Sequence, residues 1–192
     1  MQAIEIAQQN SVTFVITAET DQQSPAVSAA REALLDRAMG LKWKRKSSQK
    51  LRRGRRPSEG LAFVARSKDG VLAGTVRLWD VVTGDGRPAL LLGPLAVEPS
   101  LKGAGVGKAL MSHAISEAKR LGHKVILLVG DAAYYGRFGF SAEKTGALSM
   151  PGPYERHRFL ALELMPGALD DAAGTLKATG RKTRAAGAAA AA

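Results

Sequence analysis

Between Leu90 and Leu110 the chain reads LLLGPLAVEPSLKGAGVGKAL, and within it Lys102-Gly103-Ala104-Gly105-Val106-Gly107-Lys108 sets three glycines between two lysines. Glycine lets backbone N–H groups turn toward a bound anion without a Cβ in the way. A helix beginning just behind such a turn adds its partial positive charge. The chemistry that fits is the holding of a diphosphate. A Walker loop would need Gly where Lys102 stands and Ser or Thr where Ala109 stands, so that form fails twice. The dinucleotide form GxGxxG fails as well. Begun at Gly103 it meets Lys108, and begun at Gly105 it meets Leu110, where the last glycine should be. A glycine-rich turn capping an ordinary helix would use the same residues, so the loop alone leaves both readings open.

The elements around this loop must position it. Leu90 to Val97 predicts a buried strand, interrupted at Gly93-Pro94, and a Pro within a strand removes a ladder donor and marks an edge or a bulge. Such a strand should splay and leave backbone groups free. Val106 to Leu121 predicts a helix, with Val106, Leu110, Ala114 and Leu121 near one face and Gly122 as its stop. Lys124 to Val129 is a short apolar run, which completes a parallel β-α-β unit around the anion site.

Upstream, residues 1–11 read as a flexible lead, and Val12–Thr17 as a first strand. Ala26–Met39 has helical spacing, with Ser24 placed as N-cap and Pro25 at its start. Leu61–Arg66 and Val71–Val82 are strands joined at Asp69-Gly70, a hairpin signal. On the second of these, Thr75, Arg77 and Trp79 share one face. Downstream, Asp131–Arg137 reads as a short helix capped by Asp131, and the alternating Arg158–Leu164 as the last strand. Residues 166–192, rich in Ala, Gly and Thr with scattered Lys and Arg, read as a low-complexity, disordered basic tail.

Composition sets the outer bounds. The 192 residues, 45% of them apolar, suit one domain with a real core. No cysteine is present, which excludes disulfides, thiolate metal sites and a Cys nucleophile. His113, His123 and His157 lack metal-ligand spacing, so no metal is expected, and His113 reads as a partly exposed helix residue rather than a catalytic one. No run approaches the roughly 18 apolar residues of a membrane span, and no signal peptide is visible, so a cytoplasmic protein with no membrane partner is expected. The net charge of +11 is concentrated in Leu41–Ser58, which carries nine Lys and Arg and no acid. That segment reads as a solvated, mobile border of a cleft, as an attractor of acidic ligands or phosphates, or as a nucleic-acid surface. Only Trp43 interleaves the charges, so the last is not favoured.

A second motif decides among these. Tyr134-Tyr135-Gly136-Arg137-Phe138-Gly139-Phe140 resembles the Tyr-x-x-x-Gly-Phe segment of the GNAT acyltransferase superfamily, with Tyr135 in the Tyr position. The glycine loop resembles that superfamily's pyrophosphate loop, Gln/Arg-x-x-Gly-x-Gly/Ala, matched at Lys102, Gly105 and Gly107 with Lys in the first place. The order of elements over residues 12–165 is similar too, and the Tyr-Tyr-x-Arg-Phe-Gly-Phe wording resembles the bacterial YhbS-type group of acetyltransferases. The resemblance implies an α/β (α+β) fold: a mixed, mostly antiparallel central sheet with a splayed central strand, flanked by helices. It implies an acetyl-CoA-dependent N-acetyltransferase acting on a primary amine, with homodimers common in the superfamily.

It also implies site roles. Leu95, Ala96 and Val97 would pair with the pantetheine arm, and Lys102, Gly103, Ala104, Gly105, Val106, Gly107 and Lys108 would hold the pyrophosphate. Tyr135 would give the leaving thiolate its proton, with Tyr134 the alternative by position and a core-packing aromatic the plainer reading. Glu98 and Asp131 are weak candidates for the base, the latter equally explained as a cap. Arg77 and Trp79 could line the acceptor pocket or merely cover the sheet. A non-catalytic acyl-CoA-binding or nucleic-acid-binding protein on the same scaffold stays open.

Overall fold

The computed structural model describes residues 4–5, 13–19 and 25–183. Eleven strands and four α-helices follow in chain order: β1 (Ile4–Glu5), β2 (Phe14–Ala18), α1 (Pro25–Met39), α2 (Ser48–Arg52), β3 (Ala62–Ser67), β4 (Leu72–Val82), β5 (Pro88–Leu92), β6 (Ala96–Val97), α3 (Val106–Arg120), β7 (Val125–Val129), α4 (Ala132–Gly136), β8 (Leu148–Ser149), β9 (Phe159–Glu163), β10 (Gly174–Thr175) and β11 (Lys177–Ala178). The Ser24 cap and most of the N-terminal lead lie outside the described residues.

The main sheet runs β1-β2-β3-β4-β5-β7-β9, with β6 and β11 also on β4. Its pairings are antiparallel except β5–β7, which α3 connects in parallel. The expected mixed sheet is therefore present. The long β4 holds both halves of the broken strand: Leu78–Val82 pair with β5, and Gly74 and Thr75 pair with β6. Between them Gly93 N–H still donates to the Arg77 carbonyl at 2.8 Å, and the chain leaves the ladder at Pro94 and Leu95. Because β7 pairs with β5 and β9 and not with β6, the far edge of β6 has no strand beside it among the described residues.

Two apolar layers sandwich the sheet. On one face α3 sets Val106, Leu110, Met111 and Ala114 against Phe63, Val76, Leu90 and Ile126. Close approach there needs Gly74, where a Cβ would stand 2.8 Å from Leu110 Cδ1 and 3.0 Å from the Ala96 carbonyl. The other face buries Leu51, Leu91, Leu127 and Phe159. Trp43 anchors the segment after α1, buried beside Leu34 and donating its indole N–H to Asp36 at 2.9 Å.

Two expectations need correction. Residues 166–183 are not a disordered tail. Leu169, Ala172 and Leu176 are buried in the second layer, β10 pairs with β8, and β11 pairs with β4. Two or three apolar side chains suffice because the segment closes over a face that β5, β7 and β9 leave uncovered. Its path crosses the β4–β5 turn so tightly that a Cβ on Gly84 would lie 2.5 Å from Gly174 Cα. Residues 184–192 lie outside the described residues.

The basic segment is not simply solvated either. Trp43, Ser47, Leu51, Arg52 and Ser58 are buried. Arg52 stacks on the Trp79 ring at 5.3 Å, and Arg55 donates to the Gly180 carbonyl at 2.6 Å. Aliphatic stems and guanidinium planes cover apolar surface here. Leu176→Ala, at 1% exposure, should lower the unfolding free energy by about 2–5 kcal/mol in urea titration. An unchanged midpoint would mean that the segment adds nothing to the core.

Candidate active site

The glycine loop fulfils its local requirements in the backbone. Gly103 and Gly105 take φ of 89° and 81°, left-handed values at which a side chain is strained. Gly105 is the N-cap of α3, and no side chain caps the helix. Ala109 N–H returns to the Gly105 carbonyl at 3.0 Å, whereas the N–H groups of Gly105, Val106, Gly107 and Lys108 have no backbone partner among the described residues. These are the orphan donors of a helix start. They open onto a cavity of about 330 Å³ lined by Val97, Leu101, Lys102, Gly103, Lys108, Tyr134 and Arg137 along with the loop itself. Donors, dipole and three cationic side chains make it an anion site.

The cavity sorts the expected residues. Val97, Lys102, Gly103, Gly105, Val106, Gly107 and Lys108 line it, but Leu95, Ala96 and Ala104 do not. Ala96 is buried against β4 through its pairing with Thr75, and Leu95 packs on the core. Gly107 keeps the space open: a Cβ there would sit 3.0 Å from the Tyr134 hydroxyl and 3.4 Å from Val97 Cγ2.

The two tyrosines divide. Asp131 accepts the Tyr134 N–H at 3.0 Å and so starts α4, which turns the Tyr134 ring into the cavity beneath the Arg137 guanidinium. Tyr135 is not among the lining residues. Its ring meets Tyr134 edge to face at 5.0 Å and lies so close to Gly130 that a Cβ there would be 2.3 Å from it. Neither hydroxyl has a hydrogen-bond partner among the described residues. Burial holds both phenols protonated beyond their ordinary range, Tyr135 the more strongly, since the charged form loses water.

Other candidates are otherwise engaged. Glu98 pairs with Arg37 at 2.8 Å, and Asp131 is the helix cap. Arg77 is paired with the buried Glu19, while Trp79 donates to the Arg55 carbonyl at 3.3 Å and lies over Gly93. His113 is half-buried edge-on to Phe63, and burial lowers its pKa.

The sequence model of the acetyltransferase (GNAT) family matches residues 29–140, which take in the loop, the broken strand and both tyrosines. The chain belongs to that family. It is 27% identical over 118 residues to the uncharacterized N-acetyltransferase YhbS of Escherichia coli K12, which spans 61% of this chain and 71% of that protein. Among solved structures, the E. coli GNAT protein YhbS in complex with CoA superimposes with a TM-score of 0.70 at 23% identity, covering 91% of this chain and 94% of that one. A GNAT acetyltransferase from Brucella melitensis in complex with acetyl-CoA gives 0.55 at 23% identity, over 82% and 98%. At such identity the superpositions speak for the fold.

A GNAT fold depends on the strand break, and Gly93 is where it is made. A Cβ on Gly93 would stand 2.2 Å from the Trp79 ring and 3.1 Å from Arg52 Nη1. Sequence reasoning placed the break at Gly93-Pro94 but not its cause, because the indole arrives from β4. Gly93→Ala should cost about 1–3 kcal/mol of stability as overpacking. Tryptophan emission should shift to the red as the indole is displaced; an unshifted spectrum at wild-type stability would show that the ring does not need this space.

Proposed function

We propose that this protein is an N-acetyltransferase that moves the acetyl group of acetyl-CoA to a primary amine by direct attack. The observation that supports this most is the row of unpartnered N–H groups from Gly105 to Lys108, opening beside the free edge of β6. On this reading the loop, Lys102 and Lys108 take the pyrophosphate of CoA. The pantetheine amides run along β6 near Val97 as an added strand would. The CoA and acetyl-CoA complexes of the two structural neighbours agree with such a ligand.

Held this way, the thioester carbonyl needs little further orientation, which removes much of the entropy barrier of a bimolecular step. The amine nitrogen attacks the carbonyl carbon, and an N–H on the broken strand stabilises the oxygen as it gains charge. The C–S bond then breaks. Tyr135 gives its phenolic proton to the departing thiolate, and the proton lost by the nitrogen returns through water to the phenolate. Burial keeps the phenol protonated at neutral pH, so the proton is in place when the thiolate leaves. Tyr134 is the second reading, favoured by its place in the cavity wall.

Calorimetric titration tests the donor site. Wild type should bind acetyl-CoA and CoA, while Gly105→Glu, which adds a charge facing the pyrophosphate and strains a φ of 81°, should weaken both at least tenfold with the fold retained by circular dichroism. A wild type that binds neither ligand would refute the reading.

Tyr135→Phe should lower kcat by roughly 10²-fold or more, as expected for a lost general acid. Tyr134→Phe should act mainly on KM. The reverse pattern would transfer the role to Tyr134. Because burial raises the phenol above its ordinary value of about 10, the protonated donor persists through neutral pH, and its own ionisation should not depress kcat below about pH 10.

A further inference from the structure

A second cavity, of about 400 Å³, opens where the end of β7 meets the loop before β9, and Lys46, Ser48, Val129, Tyr154, Glu155 and Arg158 line it. It shares no lining residue with the anion site. One short path joins the two. Arg158 N–ε donates to the Gly130 carbonyl at 3.3 Å, Gly130 carries the Tyr135 ring against it, and Tyr135 meets Tyr134 in the wall of the first cavity. Arg158 is close enough for its charge to act on Tyr135. Tyr135 therefore stands between the two cavities.

The charge of the second cavity is lopsided. Its one carboxylate, Glu155, lies 3.6 Å from Arg158 and 3.5 Å from His157. Against it stand Lys46 and Arg158, and behind Ser48 stands Arg52. Arg52 is only 6% exposed and donates to the Ser48 carbonyl at 3.2 Å and the Ser48 hydroxyl at 3.3 Å. Among the described residues it has no carboxylate within ion-pair distance. Glu32 acts on it only from beyond ion-pair distance, so burial outweighs the attraction. Burial holds the Arg52 guanidinium down at about 10, and Lys46 is lowered by partial burial and by Arg158 and Arg52 acting on it. Lys50 reaches the same loop at Gly152.

We infer that this cavity is the acceptor site and that its acceptor is a small amine bearing an anionic group, a carboxylate or a phosphate, which Lys46 and Arg158 receive. The inference rests on the acetyl-transfer reading. The cavity volume suits a small molecule, and Tyr154 offers an apolar wall to its carbon skeleton. The anionic group supplies the charge that Glu155 alone does not balance, and its placement directs the amine toward Tyr135.

The test is calorimetry on the CoA-loaded full chain with two matched pairs of primary amines: β-alanine against β-alaninamide, and O-phosphoethanolamine against ethanolamine. The anionic member of at least one pair should bind at least tenfold more tightly than its neutral partner. Which pair responds separates carboxylate from phosphate. Lys46→Gln and Arg158→Gln should each erase most of the preference, and CoA titration of each variant reports whether its fold has held. Equal or better binding of the neutral members, binding of none of the four, or a preference that survives both substitutions overturns the inference while leaving the acetyl-CoA reading in place. Failure of CoA itself to bind brings down that reading, and the inference with it.

Discussion

The strand that would have continued β5 cannot do so, because the Trp79 ring and the Arg52 guanidinium occupy the space above Gly93, and Pro94 has no N–H to give. Everything specific to the site follows from that obstruction. The chain leaves β4 just after Gly93, rejoins it at Ala96 and Val97, and so presents an edge that β7 does not cover. Unpaired backbone in the middle of a sheet is ordinarily a defect. Here it lies next to the start of α3, whose first N–H groups are unpartnered as well. Two sets of unmet donors side by side form a ready-made groove for a ligand with amides at one end and phosphates at the other.

The positive charge of the chain is partly structural. Arg52 packs on Trp79, Arg55 reaches the Gly180 carbonyl, and Arg77 neutralises the buried Glu19. These side chains tie the end of β2, the basic segment and the C-terminal strands to β4, and their removal would be felt through lost contact as much as lost charge. Of the other cations, Lys102, Lys108 and Arg137 stand around the first cavity, and Lys46 and Arg158 around the second.

Much of this was legible in the sequence. Helix period, alternation, the Asp69-Gly70 turn and the Gly93-Pro94 break set out α1, α3, α4 and strands β2 to β5, β7 and β9 to within about two residues, because each is a local effect, while α2 and the two-residue strands β1, β8, β10 and β11 went unread. The glycine loop was legible for the same reason: positive φ at Gly103 and Gly105 is a demand only glycine meets cheaply. Long-range contacts were not. Residues 166–183 read as low complexity because their few apolar residues matter only against a face built by distant strands. The orientation of the two tyrosines was equally hidden. Adjacent residues on one turn of helix point about 100° apart, and which one enters the cavity is set by the Asp131 cap and the space left by Gly130 and Gly107. The second cavity had no motif at all, since Lys46, Val129 and Arg158 come from three separate segments.

That cavity bears on the missing base. Both carboxylates expected as the base are engaged, Glu98 by Arg37 and Asp131 by the start of α4. An amine must shed its extra proton before it can attack. Cations around the bound amine disfavour the ammonium form, as any like charge does. A neighbouring anionic group on the acceptor would hold the molecule in place against that same field. Binding and deprotonation then draw on one arrangement of charge, and water can carry the proton away through a mouth where Lys46 and Glu155 are themselves exposed. On the acetyl-transfer reading the chain therefore needs a donor for the thiolate, the role proposed for Tyr135, more than it needs a dedicated base.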